Sequence, residues 1–143
     1  MAFMEEKMNV MLDNGAIMPT RAHEKDAGLD LYARETKTVP ARGNAIFDTG
    51  VHMEIPEGYA GILLSKSGLN VHHGLTNRGL IDSGYTGSII VKLDNNSDND
   101  YIVEQGQKIS QIILVPILRP KMVLVENLES TERGENGFGS TGK

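Results

Sequence analysis

The chain has 143 residues and a formal net charge of −5, from 14 Lys and Arg against 19 Asp and Glu. Hydrophobic residues make up 39% and charged residues 23%, which predicts one folded domain and excludes a wholly disordered chain. The negative charge argues against polymeric DNA or RNA as a partner. The absence of cysteine excludes disulfides, thiolate nucleophiles and cysteine zinc sites.

The N-terminal segment MAFMEEKM carries acidic residues where a signal peptide needs positive charge and a long apolar run. The longest apolar stretch, IILVPIL at 112–118, is far shorter than the roughly 20 residues of a membrane span. We therefore expect no membrane association and a cytoplasmic location.

Short apolar runs, often alternating with period two, predict a series of strands. They lie at 8–12, 29–33, 45–55, 59–64, 88–93, 108–117 and 121–128. Their spacing, with turn signals between them, is typical of a sandwich or barrel, so the predicted fold class is all-β. At most one short helical turn is expected, at 67–73.

Beyond about residue 125 the apolar pattern gives way to polar residues and glycine. We predict a β domain over 1–125 and a flexible glycine-rich arm over 126–143. The arm ends in GFGSTGK, which has P-loop spacing, but no Ser or Thr and no helix follow its lysine. A frayed terminus is one interpretation. An arginine, a phenylalanine and a Ser-Thr pair among the glycines favour a segment that folds over an anionic, aromatic ligand.

Four other glycine-marked segments carry candidate residues. In DAGLDLYA, Asp26 and Asp30 would point to the same side of a strand, unless the first is a turn aspartate. SKSGL at 65–69 is a turn with one cation and exposed hydroxyls. GLIDSGYTG at 79–87 is typical of a hairpin with a tight tip, and its aspartate follows two apolar residues, so partial burial is expected. Gln111 in GQKISQIILVPI stands within an apolar strand and needs a partner or a ligand.

In this order, the five segments resemble the five motifs of the trimeric deoxyuridine triphosphate nucleotidohydrolases (dUTPases). The resemblance runs from about Met8 to Lys143, and AGLDLYA, GLIDSGYTG and RGENGFGSTG are its most specific parts. It implies a jelly-roll subunit, a homotrimer and Mg²⁺-assisted hydrolysis of dUTP to dUMP and pyrophosphate. That reaction limits uracil in DNA and supplies dUMP for dTMP synthesis. The arm 126–143 is then expected to close over the active site of a neighbouring subunit.

The resemblance also implies a role for each matching residue. Asp82 is expected to be the general base, Arg133 and Gln111 to contact the phosphate chain, and Asp30 to hold Mg²⁺ through its water shell. The expected substrate-binding residues are Lys66, Ser67, Gly68, Thr76, Asn77, Gly79, Ile81, Tyr85, Phe138, Gly139, Ser140 and Thr141.

Within this set, Tyr85 is expected to stack on the deoxyribose and exclude a 2′-hydroxyl, and Phe138 to stack on the uracil. The hairpin at 76–85 is expected to read the imide edge of uracil with main-chain groups. Lys66 departs from the family pattern, which has arginine at this position. A lysine cannot make the bidentate hydrogen bonds of an arginine, so its contact with the phosphates would differ.

Two alternatives stay open at this point. One is a dCTP deaminase of the same fold, although the deaminases lack the arginine and phenylalanine arm. The other is a regulatory dUTP-binding trimer that acts on a protein partner. A metal site at His72 and His73 is not expected, because no spaced third ligand accompanies them.

Overall fold

The computed structural model describes residues 6–139. Within that range the chain forms eleven strands and one short helix, so the all-β prediction and the helical turn at 67–73 are confirmed. The elements are β1 Val10–Leu12, β2 Leu29–Tyr32, β3 Lys37–Val39, β4 Asn44–Asp48, β5 Val51–Met53, β6 Tyr59–Leu64, α1 Ser67–His73, β7 Leu75–Thr76, β8 Arg78–Ile81, β9 Ile90–Asn95, β10 Tyr101–Val103 and β11 Lys108–Pro116. No helix in this part of the chain is long and apolar enough to cross a membrane.

The strands of the described chain pair antiparallel in four sheets. The largest has the order β2-β11-β6-β8, the next β4-β9-β7, and the two-stranded sheets are β1-β5 and β10-β3. The long strand β11 lies between β2 and β6 in the largest sheet. Residues of β2, β11 and β6, which are far apart in the sequence, therefore lie side by side across this sheet.

Buried side chains from both larger sheets form one hydrophobic cluster. In β9, Val91 and Leu93 are buried while Ile90 and Lys92 are exposed, which is the period-two pattern of a strand with one solvent face. Phe47 of β4 joins them, and full burial of one such side chain is worth about 1.5–3 kcal/mol. This core anchors the strands whose ends and opposite faces carry the polar residues described below.

The strand predicted at 45–55 is interrupted in the structure. Gly50 separates β4 from β5 and has a φ of 69°, a left-handed conformation that favours glycine. A Cβ at this position would also meet the Arg34 guanidinium at 2.5 Å. The break allows β4 to pair with β9 while β5 pairs with β1.

The strand predicted at 121–128 is wrong for the described chain. These residues form no strand, and their apolar side chains face solvent, Leu124 with 99% exposure. Alternation alone does not make a strand, because backbone N–H and C=O groups need a neighbouring strand to pair with. The last strand of the described chain ends at Pro116, and the domain boundary near 125 stays a prediction.

Candidate active site

Strand register places two predicted site residues side by side. Gln111 of β11 pairs with Asp30 of β2 on one side and with Leu64 of β6 on the other. Register partners in an antiparallel sheet carry their side chains on the same face. Lys66 follows β6 closely, and together with Asp30 and Gln111 it lines a cavity of about 370 Å³. The structure thus brings the first, second and fourth motifs together.

Asp26 lines the same cavity, but it does not lie in β2, which begins at Leu29. It lies in a turn, where its main-chain N–H donates to the His23 carbonyl and its carboxylate accepts from the His23 main-chain N–H at 3.0 Å. The prediction that Asp26 and Asp30 share one strand face is therefore wrong. The turn brings the Asp26 carboxylate to the cavity, and strand β2 brings that of Asp30.

Asp30 is a buried carboxylate held by two lysines. Its side chain is 5% exposed, with Lys66 Nζ 2.6 Å from Oδ1 and Lys108 Nζ 3.2 Å from Oδ2. Burial acts to raise the pKa of Asp30, but hydrogen bonds and charges from the two lysines outweigh it and leave the pKa below its ordinary value. Asp30 is therefore ionised at neutral pH, and it raises the pKa of Lys108 in return.

Sequence reasoning missed Lys108, and a β-bulge explains why. Lys108 lies three residues before Gln111, so regular alternation would place the two on opposite faces of β11. In the structure Lys108 pairs with Tyr32 and Gln111 with Asp30, because β11 has one extra residue between these pairs. The bulge turns Lys108 to the face of Asp30. Nothing in the local sequence marks a bulge there.

Gln111 has the partner that its position requires, so that prediction is confirmed. Its Nε2 donates to the Ser65 carbonyl at 3.0 Å. A Cβ at Gly28 would collide with Gln111 Oε1, so the glycine of AGLDLYA allows the amide to lie close to the backbone of the first motif. An amide nitrogen has two N–H groups, so one donor of Gln111 is left for a ligand.

The second motif continues from the cavity into α1. Lys66 is the N-cap residue of α1 and has an extended backbone, and Ser67 and Gly68 form the first helical positions. Both are exposed. A Cβ at Gly68 would meet nothing within 4 Å, so packing inside this chain does not require glycine there.

The segment predicted as a hairpin at 76–85 connects two sheets instead. Thr76 of β7 pairs with β9, whereas Gly79 and Ile81 lie on β8, which pairs with β6. Asn77, between these strands, is buried; its main-chain N–H donates to Ser65 Oγ at 3.0 Å and its Nδ2 donates to Ser110 Oγ at 2.7 Å. The hairpin prediction is wrong because β7 and β8 pair with different strands, and the hydrogen bonds of buried Asn77 hold the connection between them. Substrate binding by these residues stays a prediction.

Asp82 lies on the tight turn that follows β8. The Tyr85 N–H donates to the Asp82 carbonyl at 3.0 Å, which confirms the turn. Asp82 is exposed rather than partly buried, because β8 is an edge strand and the preceding Leu80 is itself exposed. Tyr85 is 42% exposed, and its hydroxyl donates to the Ser88 carbonyl at 2.7 Å. Neither Asp82 nor Tyr85 lines the cavity at Asp30.

No described residue of the fifth motif lines the cavity of its own chain either. Arg133 Nε donates to the Asn136 carbonyl at 2.7 Å within the arm, and Phe138 is fully exposed. Gly139, the last described residue, has a left-handed φ of 88°. Ser140 and Thr141 lie outside the described residues. Among the described residues, those of the 82–85 turn and of the arm therefore do not line the cavity that the first, second and fourth motifs form.

Comparison with known proteins identifies the family. The dUTPase family model matches residues 14–142, which include every predicted site residue. The chain belongs to the dUTPase family. It is 41% identical to the deoxyuridine 5′-triphosphate nucleotidohydrolase of Clostridium acetobutylicum, over 92% of each chain. It is 46% identical to that of Yarrowia lipolytica, over 92% of this chain and 85% of the other.

Solved dUTPases share the fold. The dUTPase of Staphylococcus bacteriophage 80alpha, solved with dUpNHpp, has a TM-score of 0.91 and 34% identity, over 97% of this chain and all of that one. A variant dUTPase from phage phi11 of S. aureus, described with a structural Mg(II) ion, has a TM-score of 0.82 and 30% identity, over 87% of this chain and all of that one. The jelly-roll prediction is confirmed.

Replacing Lys108 by Gln should lower stability at neutral pH. A lowered carboxyl pKa contributes stability above the unfolded value, 3.8, and that contribution is lost as pH falls through the folded pKa. Lys108→Gln should therefore be less stable than the unmodified chain at neutral pH, with the difference disappearing in acid where Asp30 is protonated. Urea unfolding at both pH values measures this. The control is Lys92→Gln, whose lysine is exposed and pairs with half-buried Asp94; an equal effect there would contradict the prediction.

Proposed function

We propose that this chain is a homotrimeric, Mg²⁺-dependent dUTP diphosphatase whose active site combines the Asp30 cavity of one chain with the 82–85 turn and the arm of its neighbours. The reaction, dUTP to dUMP and pyrophosphate, is that of the family. The observation that carries the proposal is the buried, ionised Asp30 between two lysines beside Gln111, in a chain that contains all five motifs.

The cations at the cavity support a triphosphate ligand. Lys66 and Lys108 both contact Asp30, so they balance the two carboxylates there, Asp30 and Asp26, in a chain of net charge −5, and Mg²⁺ would offset the charge of the phosphates. Lys66 and Gln111 line the cavity, so the lysine and the remaining N–H of the amide would contact phosphate oxygens, and exposed Gly68 would allow a phosphate to approach the backbone. Lys66 does this as a point charge, without the fork of the usual arginine.

Asp30 fits the role of a carboxylate that binds Mg²⁺ through water. Each of its oxygens accepts from one lysine, and a carboxylate offers about four lone-pair sites in total, so acceptor capacity is left. Mg²⁺ keeps several of its waters and binds through few carboxylates plus substrate phosphates. When bound, the ion would neutralise charge on the phosphate chain and the departing pyrophosphate.

In the proposed mechanism the Asp82 carboxylate takes a proton from a water that attacks the α-phosphorus in line with the leaving pyrophosphate. Its exposure on a turn suits a base that must reach a site completed by another chain. Arg133 and main-chain groups of the arm, at 139–141, would bind the charge that develops on the leaving oxygens. No covalent intermediate forms.

Nucleoside selection is assigned to the same turn and to β8. The hydroxyl of Tyr85 is fixed by Ser88, so the partly exposed ring can stack on the deoxyribose and leave no room for a 2′-hydroxyl. In the described chain β8 has a strand partner on one side only, and an edge strand presents main-chain N–H and C=O groups. Those groups suit the imide edge of uracil, with Phe138 stacked above the base.

Exposed apolar residues after β11 support assembly. Leu118, Leu124 and Leu128 all face solvent in the single chain, as does Phe138. Such side chains are stabilised when a neighbouring copy covers them. From residue 126 to residue 138 an extended chain spans at most about 40 Å, enough to reach a neighbouring subunit. The cytoplasmic location and a regulatory protein partner stay predictions.

Asp82→Asn should reduce kcat for pyrophosphate release from dUTP by about 10²- to 10⁴-fold, since a positioned base contributes that much. Because Asp82 is exposed, folding and oligomeric mass should not change. The matched control is Asp98→Asn, an exposed loop aspartate paired with Arg42. Unchanged turnover in Asp82→Asn would refute the role of general base.

Deleting residues 133–143 should leave a folded trimer with little activity, because the arm is proposed to close the site without contributing to the core. Light scattering, circular dichroism and pyrophosphate release measure the three properties. Phe138→Ala is the finer variant and should raise KM by roughly five- to 150-fold, the equivalent of about 1–3 kcal/mol of base stacking. An unfolded truncated protein would contradict the proposal.

A substrate panel separates the proposed activity from its closest alternative. With Mg²⁺, pyrophosphate should be released from dUTP and far less from dTTP, dCTP and UTP. Cytosine would leave polar groups of the site without a partner, the methyl of thymine would have no space, and Tyr85 would exclude the 2′-hydroxyl of UTP. Ammonia released from dCTP would instead show a deaminase of the same fold.

A further inference from the structure

The end of the proposed catalytic loop, residues 82–88, is fastened to the body of the chain by a histidine. His52 lies on β5 with a side chain that is 18% exposed. Its Nδ1 is 2.7 Å from the Thr86 carbonyl oxygen, and its Nε2 is 3.0 Å from Asp13 Oδ2. The ring therefore bridges the loop and the segment that follows β1.

Both partners of this ring are acceptors. A carbonyl oxygen cannot donate a hydrogen bond, and neither can an ionised carboxylate. Neutral imidazole has only one N–H, so the bridge from Asp13 to Thr86 is complete only when His52 is a doubly protonated imidazolium. Loss of the proton removes one of the two bonds.

The charged groups around His52 favour the cation. Asp13 contacts it directly, Asp48 of β4 adds a second negative charge, and Arg34 lies between those carboxylates at 4.0 and 3.7 Å. Glu54, which follows β5, lines the same small cavity beside the ring. The hydrogen bond to Thr86, followed by that to Asp13, raises the pKa of His52 above its ordinary value of 6.5.

We propose that His52 is a positioning residue for dUTP hydrolysis: as an imidazolium it holds the loop that carries Asp82 and Tyr85, and its deprotonation loosens that loop. This inference rests on the proposed role of Asp82. A raised pKa means that the bond is fully present below pH 6.5 and is lost as pH rises through the folded pKa. Loop order and turnover should therefore fall together on the alkaline side.

A second contact between the loop and the body of the chain limits how far kcat should fall when His52 loses its proton. Asp48 accepts hydrogen bonds from the Ser88 hydroxyl and from the Gly50 N–H, so the far end of the loop stays attached to β4 when His52 is neutral. Misplacement of a reacting group by about 1 Å costs up to about 10²-fold in rate. Loosening at Thr86 should accordingly lower kcat by roughly ten- to hundredfold, with a smaller change in KM.

The test compares His52→Gln and Asp13→Asn with His72→Gln as control, since His72 is exposed on α1. Three measurements are made on the assembled protein across pH: kcat for dUTP, hydrogen-exchange protection of residues 82–88, and the His52 titration by NMR. In the unmodified chain, kcat and protection should fall with the midpoint of that titration. His52→Gln should have low kcat without this alkaline fall, and Asp13→Asn should shift the fall to lower pH because the imidazolium loses its counter-charge.

Two results would overturn the proposal: an unchanged alkaline fall in His52→Gln, or loop protection that does not depend on His52. A failure of the proposed general-base role of Asp82 can be distinguished from these two results. If Asp82→Asn kept full turnover while protection of 82–88 still followed the His52 titration, the general-base role would be wrong and the histidine fastening would stand.

Discussion

The ion pairs at Asp30 are the constraint on which the rest of the site depends. A buried carboxylate is costly unless it is compensated, and here two lysines compensate it, Lys66 at the start of α1 and Lys108 on β11. For both to reach it, β2, β11 and β6 must keep their register and β11 must contain its bulge. The hydrophobic core on the other side of the sheet holds that register. The packing of the core and the ion pairs at Asp30 therefore both depend on the same register of β2, β11 and β6.

Away from this cavity, the remaining parts of the proposed site are exposed in one chain. Asp82 and Tyr85 lie on a turn beyond an edge strand, and Phe138 lies on an arm whose apolar residues face solvent. The proposed function implies that the site would be complete only when copies associate. Division between subunits would link catalysis to assembly and would allow the arm to close and open without disturbing the core.

The 82–88 loop needs its own supports because it lies outside the main sheet pairing. His52 holds the loop at Thr86 and Asp48 holds it at Ser88, and both belong to the β4–β5 region where Gly50 breaks the predicted strand. The break at Gly50 redirects the chain and also positions two side chains that contact the loop. It places an imidazole and a carboxylate, four residues apart in sequence, against one loop, and the imidazole makes that support sensitive to pH.

The sequence by itself determined the all-β class, the turn of helix at 67–73 and the five motifs, because period-two alternation and glycine-marked turns are local properties. It also required a partner for Gln111. Only the tertiary structure decided that Lys108 faces Asp30, that Asp26 reaches the cavity from a turn and that 121–128 forms no strand within the described chain. It alone joined His52 to Asp13 and Thr86, which lie 39 and 34 residues away. Such contacts depend on bulges, register and strand partners, which are set by packing between distant segments and leave no local pattern.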